Sequence, residues 1–66
     1  MNYYLIKFNV ADVGTKTVFA KNDKGEKLQR GDRVKFSGYG YSGYAIIDKA
    51  LEEHPNTKEI YEIYSI

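Results

Sequence analysis

The stretch that most constrains this chain runs from Arg30 to Ile47, Arg-Gly-Asp-Arg-Val-Lys-Phe-Ser-Gly-Tyr-Gly-Tyr-Ser-Gly-Tyr-Ala-Ile-Ile. It holds four of the six glycines and three of the seven tyrosines. Val34 and Phe36 alternate with Arg33, Lys35 and Ser37, the period of a half-buried strand. Gly38, Gly40 and Gly43 then allow a sharp bend or bulge. Tyr44-Ala45-Ile46-Ile47 resumes an apolar, β-branched run. Two strands joined by a glycine-rich bend are the minimum this stretch demands.

The flanking segments extend the pattern. Tyr3 to Val10 is rich in aromatic and β-branched residues and reads as a strand, with Ile6 and Phe8 alternating with Lys7 and Asn9. Ala11 to Thr15 reads as a loop. Lys16 to Ala20 reads as a second strand, with Thr17 and Phe19 on one face and Lys16, Val18 and Ala20 on the other. Asn22-Asp23-Lys24-Gly25 is a polar turn in which Gly25 suits a positive φ. Arg33 to Ser37 is the third strand.

Tyr44 to Leu51 has two readings. Ile47 with Leu51 and Lys49 with Glu53 are spaced i, i+4, and Pro55 would end a helix. The residues after the bend favour a strand, with a helical turn near Glu52. Pro55-Asn56-Thr57 is a turn. Lys58 to Ile66 is a last strand on its Ile and Tyr content, although Asn56 with Glu59 also spells a capping box. The expected core is Ile6, Phe8, Phe19, Val34, Phe36 and Ile47.

The fold class expected is all-β, or β with one short helix or helical turn, as a single domain over residues 1–66. A chain of 66 residues buries only about 60% of the surface it exposes when unfolded, which leaves little volume for an internal pocket. Five short strands with one glycine-rich bend suggest a small closed or half-closed barrel, of the SH3-like or OB type, and closure removes edges that would otherwise aggregate.

The pieces Tyr3-Tyr4-Leu5-Ile6-Lys7-Phe8, Leu28-Gln29-Arg30-Gly31-Asp32-Arg33-Val34 and Thr57-Lys58-Glu59-Ile60 cover about half the chain. They resemble small SH3-like-barrel proteins of unknown function carried by Gram-positive bacteria and their phages or mobile elements. The resemblance implies a five-stranded SH3-like barrel, and a phage or mobile-element protein of this kind would modulate a host factor.

Composition narrows the chemistry. There is no cysteine, hence no disulfide, thiolate or cysteine metal site, as expected of a reducing cytoplasm. The N-terminal run lacks the basic leader and length of a signal peptide, and no apolar run approaches the roughly 20 residues of a membrane helix. Net charge is +1, but seven bases and three acids fall between Lys16 and Lys35, against two bases and five acids from Ala45 onward. That asymmetry can mark a basic face.

Four motifs invite stronger readings. Arg30-Gly31-Asp32 spells an integrin-recognition tripeptide, but its place before a strand reads as a turn in which Asp32 bonds nearby amides. Gly38 to Gly43 spells G-x-G-x-x-G, yet it lacks the strand–turn–helix setting that makes this a phosphate loop. His54 near Asp48, Glu52 and Glu53 has no second histidine or cysteine at ligand spacing. The serines have no base at a convincing spacing. No cofactor, metal or catalytic residue is therefore expected, and the chain is not expected to be an enzyme.

The tyrosines remain. Tyr39, Tyr41 and Tyr44 are too many for one small core. Exposed tyrosines anchor protein interfaces or stack on bases; packed ones merely cover a barrel end. The expected function is a binding module for a partner protein. The alternative is a nucleic-acid-binding barrel that uses Lys24, Lys27, Arg30 and Arg33 with tyrosine stacking. Net charge near zero weighs against tight phosphate-driven binding.

Overall fold

The computed structural model describes residues 2–66. Tyr3–Val10 (β1) and Gly14–Lys21 (β2) form the first hairpin. Its turn places Asp12 at φ 71, a conformation that Asp tolerates better than most residues. Arg33–Gly38 (β3) and Tyr41–Leu51 (β4) form the second hairpin, and Ile60–Ser65 (β5) follows. The strands close into a barrel in the order β1-β2-β5-β3-β4, with β4 returning to β1. This is the all-β, small five-stranded barrel that the sequence led us to expect, with no helix among the described residues.

Tyr44 to Leu51 is therefore strand. The strand begins earlier, at Tyr41, because the bend is a hairpin of only two residues. Tyr39 (φ 47) and Gly40 (φ 86) both lie in the left-handed region, the signature of a type I′ turn whose twist matches its strands. A tyrosine held there costs about 1–2 kcal/mol relative to a right-handed conformation. Tyr39 offsets this through its hydroxyl, which donates to the Lys58 carbonyl at 2.8 Å, and through its ring, 5.2 Å from that of Tyr61. Gly38 is required for another reason. A Cβ there would sit 3.2 Å from Tyr61 Cδ2, so the bare backbone lets the Tyr61 ring pack closely against Gly38. The G-x-G-x-x-G motif is thus a hairpin.

Other boundaries shift modestly. The second strand starts at Gly14, and the last starts at Ile60, after Thr57 Oγ1 accepts from the Glu59 amide. Asn22 to Gly25 turns as expected, with Gly25 at φ 68. Arg30-Gly31 sits in a turn closed by Asp32 N to Gln29 O, and the Asp32 carboxylate accepts from the Gln29 amide at 2.8 Å.

The core comprises Tyr4, Ile6, Phe8, Ala20, Val34, Phe36, Ala45, Ile47, Tyr61 and Ile63. Five of the six expected core residues are there. Phe19 is not: it is 36% exposed on the outer face. Register explains the correction. The inward residues of β1, Tyr4 and Ile6, stand opposite Ala20 and Val18, so Phe19 points out. Ala20, fully buried, leaves room across the ladder for the Tyr4 ring. Each fully buried aliphatic side chain here, such as Ile6 or Ile63, contributes about 1.5–3 kcal/mol.

Asn22 is the one buried polar residue in the described chain. Its amide donates to Ile63 O and to Glu26 Oε1, and its carbonyl oxygen accepts from the Glu26 amide. Glu26 in turn accepts from the Ser65 hydroxyl and amide, and its backbone carbonyl accepts from Tyr4. The network ties the β2–β3 loop to the end of β5. The Ser65 hydroxyl, then Asn22, holds the Glu26 carboxyl below its usual range.

Two strands change partners along their length. β5 pairs parallel with β2 over Ile60–Glu62 and antiparallel with β3 from Glu62 to Ser65. β4 pairs with β3 from Tyr41 to Ile46 and with β1 from Ile46 to Leu51, with a register shift between Leu5 and Ile6. Past Lys7 and Ile46 the two hairpins therefore diverge.

Candidate functional site

Side chains on one strand alternate between faces, and this divides the tyrosines that the sequence grouped together. Tyr41 shares its parity with the inward residues Ala45 and Ile47, whereas Tyr44 shares that of the outward Ile46. The Tyr41 ring lies 5.6 Å from Phe8, with Lys16 Nζ 5.8 Å from its centroid. Phe8 and Phe36 stack at 4.2 Å, and both stand about 6 Å from Tyr61, at 6.2 and 6.1 Å. Tyr39 and Tyr41 thus cover an aromatic barrel end. Burial pushes the Tyr61 phenol in this cluster above its ordinary pKa.

Tyr44 belongs to a different surface. It is 52% exposed, and Ile46 beside it is 43% exposed. The Arg33 guanidinium carbon lies 4.9 Å from the Tyr44 ring centre, a cation–π contact that holds both side chains in place. Lys35 pairs across the ladder with Tyr44 on one side and with Tyr64 on the other. Tyr64 is itself exposed, and its hydroxyl donates to Glu62 at 2.7 Å. That bond pushes its pKa upward. Lys7, next to Ile46 on β1, meets Asp48 at 3.8 Å, a weak surface pair. Among the described residues, neither Arg33 nor Lys35 has a carboxylate partner within ion-pairing distance.

The outer face of β3, β4 and β5 is therefore a continuous surface of Tyr44, Ile46 and Tyr64 interleaved with Arg33 and Lys35. Of the candidate residues from the sequence, it brings together Arg33 and Tyr44. Lys24, Lys27 and Arg30 are exposed on the loop between β2 and β3, outside the strands that carry this face. Ile46, Lys35 and Tyr64 were missed. Their signal was alternation: Arg33 and Lys35 fall on one parity of β3, Tyr44 and Ile46 on one parity of β4. Bringing Tyr64 alongside needed the β3–β5 register, which only the fold provides.

His54 stands apart from this surface. Its ring packs edge-on against Tyr3 at 4.6 Å, and its Nδ1 lies 2.7 Å from the Pro55 carbonyl. No group of three His, Asp or Glu side chains is drawn together among the described residues.

Comparison with protein-family models, curated proteins and solved structures finds no match to this chain.

Proposed function

We propose that the protein is a non-enzymatic binding module that engages a partner protein through the outer face of β3 and β4. The observation that carries this reading is the pairing of half-exposed Tyr44 and Ile46 with Arg33 and Lys35, two cations without carboxylate partners among the described residues. Tyr and Arg are the residues most enriched among interface hot spots. The apolar and aromatic atoms supply area, while the cations select the partner and steer its approach. The cysteine-free chain suits a cytoplasmic setting.

A nucleic-acid reading draws on one specific feature, the position of Lys35 between Tyr44 and Tyr64. Bases could stack on the two rings while Lys35 and Arg33 meet phosphates. The net charge of +1 favours the protein reading, since phosphate contacts dominate nucleic-acid affinity.

The test is capture of partners from bacterial lysate by the tagged protein, with and without nuclease, then titration of the captured partner. Tyr44→Ala should weaken binding by about 30-fold, the loss of a hot-spot anchor. Lys24→Glu with Lys27→Glu should leave it nearly unchanged. Unaltered affinity in Tyr44→Ala refutes the assignment. Nuclease-sensitive capture with a steep salt dependence selects the nucleic-acid reading instead.

A further inference from the structure

We propose that the cleft between the two diverging hairpins is a strand-addition site, where an extended acidic segment of a partner protein pairs with the free edge of β4 at residues 42–45. The proposal rests on the protein-binding reading above and adds the conformation and charge of what is bound.

The backbone carries the argument. The Ile47 amide donates to Asp32 O at 2.9 Å, and the Ile47 carbonyl accepts from the Gly31 amide at 2.8 Å. Ile47 thus turns its backbone groups toward the β3 side. In an antiparallel ladder this orientation alternates, so Ala45, Gly43 and Tyr41 also face β3, at their partners Val34, Phe36 and Gly38. Ser42 and Tyr44 must face the other way. β1 would receive them, but its pairing with β4 stops at Lys7 and Ile46. The N–H and C=O groups of Ser42 and Tyr44 therefore lie on an unpaired edge, which at Tyr44 lines the cleft.

Natural edges are blunted by proline, lysine or a bulge. Ser42-Gly43-Tyr44-Ala45 has no proline and no charge, and the register shift in β4 lies further along, opposite Leu5 and Ile6. The first half of β2 also lacks a second neighbour, but its outward residues there, Thr15 and Thr17, offer no charge or large apolar side chain. The cleft beside β4 has a volume of about 480 Å³ and is lined by Lys7, Asn9, Arg33, Tyr44 and Ile46 among others. Its lining includes two cations and no carboxylate.

An added strand would gain main-chain hydrogen bonds from Ser42 and Tyr44, which give affinity, and alternate side chains would give selectivity. On the outer face those side chains meet Tyr44 and Ile46, flanked by Arg33 and Lys7. That surface selects β-branched or aromatic residues alternating with Asp or Glu.

The experiment selects peptides from a displayed library of random linear sequences against the intact protein, then follows amide hydrogen exchange with a selected peptide bound. The selected sequences should carry Asp or Glu at alternate positions. The Ser42 and Tyr44 amides should exchange readily in the free protein and at least about tenfold more slowly in the complex. Ser42→Pro removes one edge N–H without touching the β3 ladder, since proline is tolerated on edges, and should weaken the peptide at least about tenfold. If that variant does not fold, the exchange data on the wild-type protein decide.

Peptides that leave both amides unprotected, or that lack acidic enrichment, overturn the proposal. So does concentration-dependent dimerisation that protects the same amides, which would make a second copy the occupant. Loss of protein-partner binding in Tyr44→Ala with both amides still exchanging freely would refute strand addition and leave the binding-module reading standing.

Discussion

Phe36 and Phe19 look equivalent in the sequence and are not equivalent in the barrel, so replacing each with alanine tests the fold directly. Phe36 is 4% exposed and stacks on Phe8 at 4.2 Å. Truncation should cost about 3–5 kcal/mol through lost transfer energy and the cavity left behind. A domain of this size has only about 3–10 kcal/mol in total, so Phe36→Ala should be largely unfolded or barely stable at room temperature. Phe19 stands on the outer face, opposite Leu5 on β1 and Ile60 on β5. Each of these two cross-strand contacts is worth about 0.2–1 kcal/mol, so Phe19→Ala should cost about 2 kcal/mol at most. At about 4–8 °C per kcal/mol for a small domain, it should melt less than about 16 °C below the wild type and remain folded at room temperature. Thermal and urea melts followed by near-ultraviolet circular dichroism measure both. Equal losses in the two variants, or a larger loss in Phe19→Ala, would mean that the β1–β2 register is wrong.

Three further outcomes follow from individual contacts. Gly38→Ala should destabilise by about 1–3 kcal/mol and more than Gly40→Ala, because its Cβ meets Tyr61 at 3.2 Å whereas nothing lies within 4 Å of one at Gly40; urea midpoints will rank them. Asn22→Ala should cost about 1–3 kcal/mol, since it strands the buried Ile63 carbonyl that Asn22 now satisfies. The Glu26 carboxyl is held below its unfolded pKa of 4.5, chiefly by the Ser65 hydroxyl and then by Asn22. A depressed carboxyl contributes stability that is full above the unfolded pKa and is lost as pH falls through the folded one. Acid titration of the melting temperature should therefore show a decline below about pH 4.5 that is shallower in Glu26→Gln.

How far the fold could be read ahead differs from strand to strand. β3 declared itself because apolar and polar residues alternate cleanly, as in Val34-Lys35-Phe36, whereas β1 was legible from its β-branched and aromatic content and from Ile6 to Asn9, since Tyr3-Tyr4-Leu5 breaks the alternation. β2 did not, because Thr17 and Phe19 on one parity and Val18 and Ala20 on the other make both faces plausible. Only the pairing of Ala20 with Tyr4 settles which face is inside. The helical spacing of Ile47 with Leu51 was overridden by tertiary pairing with β1. Asn22 looked like a turn residue and is also the buried tie between a loop and β5, since polarity in a turn says nothing about what later packs over it. At the surface, Tyr41 and Tyr44 were read as one cluster because they are close in sequence. Three residues along a strand is an odd step and sends them to opposite faces. That distinction was available once β4 was known to begin at Tyr41.

The location of any binding activity follows from how little room the barrel has inside. Ile6, Val34 and Ile47 are fully buried, and the aromatic rings of Phe8, Phe36 and Tyr61 fill the end that Tyr39 and Tyr41 cover. A ligand cannot enter without displacing this core, at several kcal/mol for each large side chain moved. Recognition has to use the outside. There β4 changes neighbours: only Ile46 and Ile47 are held on both edges, the stretch after them pairs only with β1, and the stretch before them pairs only with β3, because β1 departs into its own hairpin after Lys7. The same partner exchange that closes a five-stranded barrel from so short a chain leaves a length of strand edge unsatisfied. Tyr44, Ile46 and Arg33 stand beside that edge, so the cost of closing the fold and the means of binding a partner arise at one place.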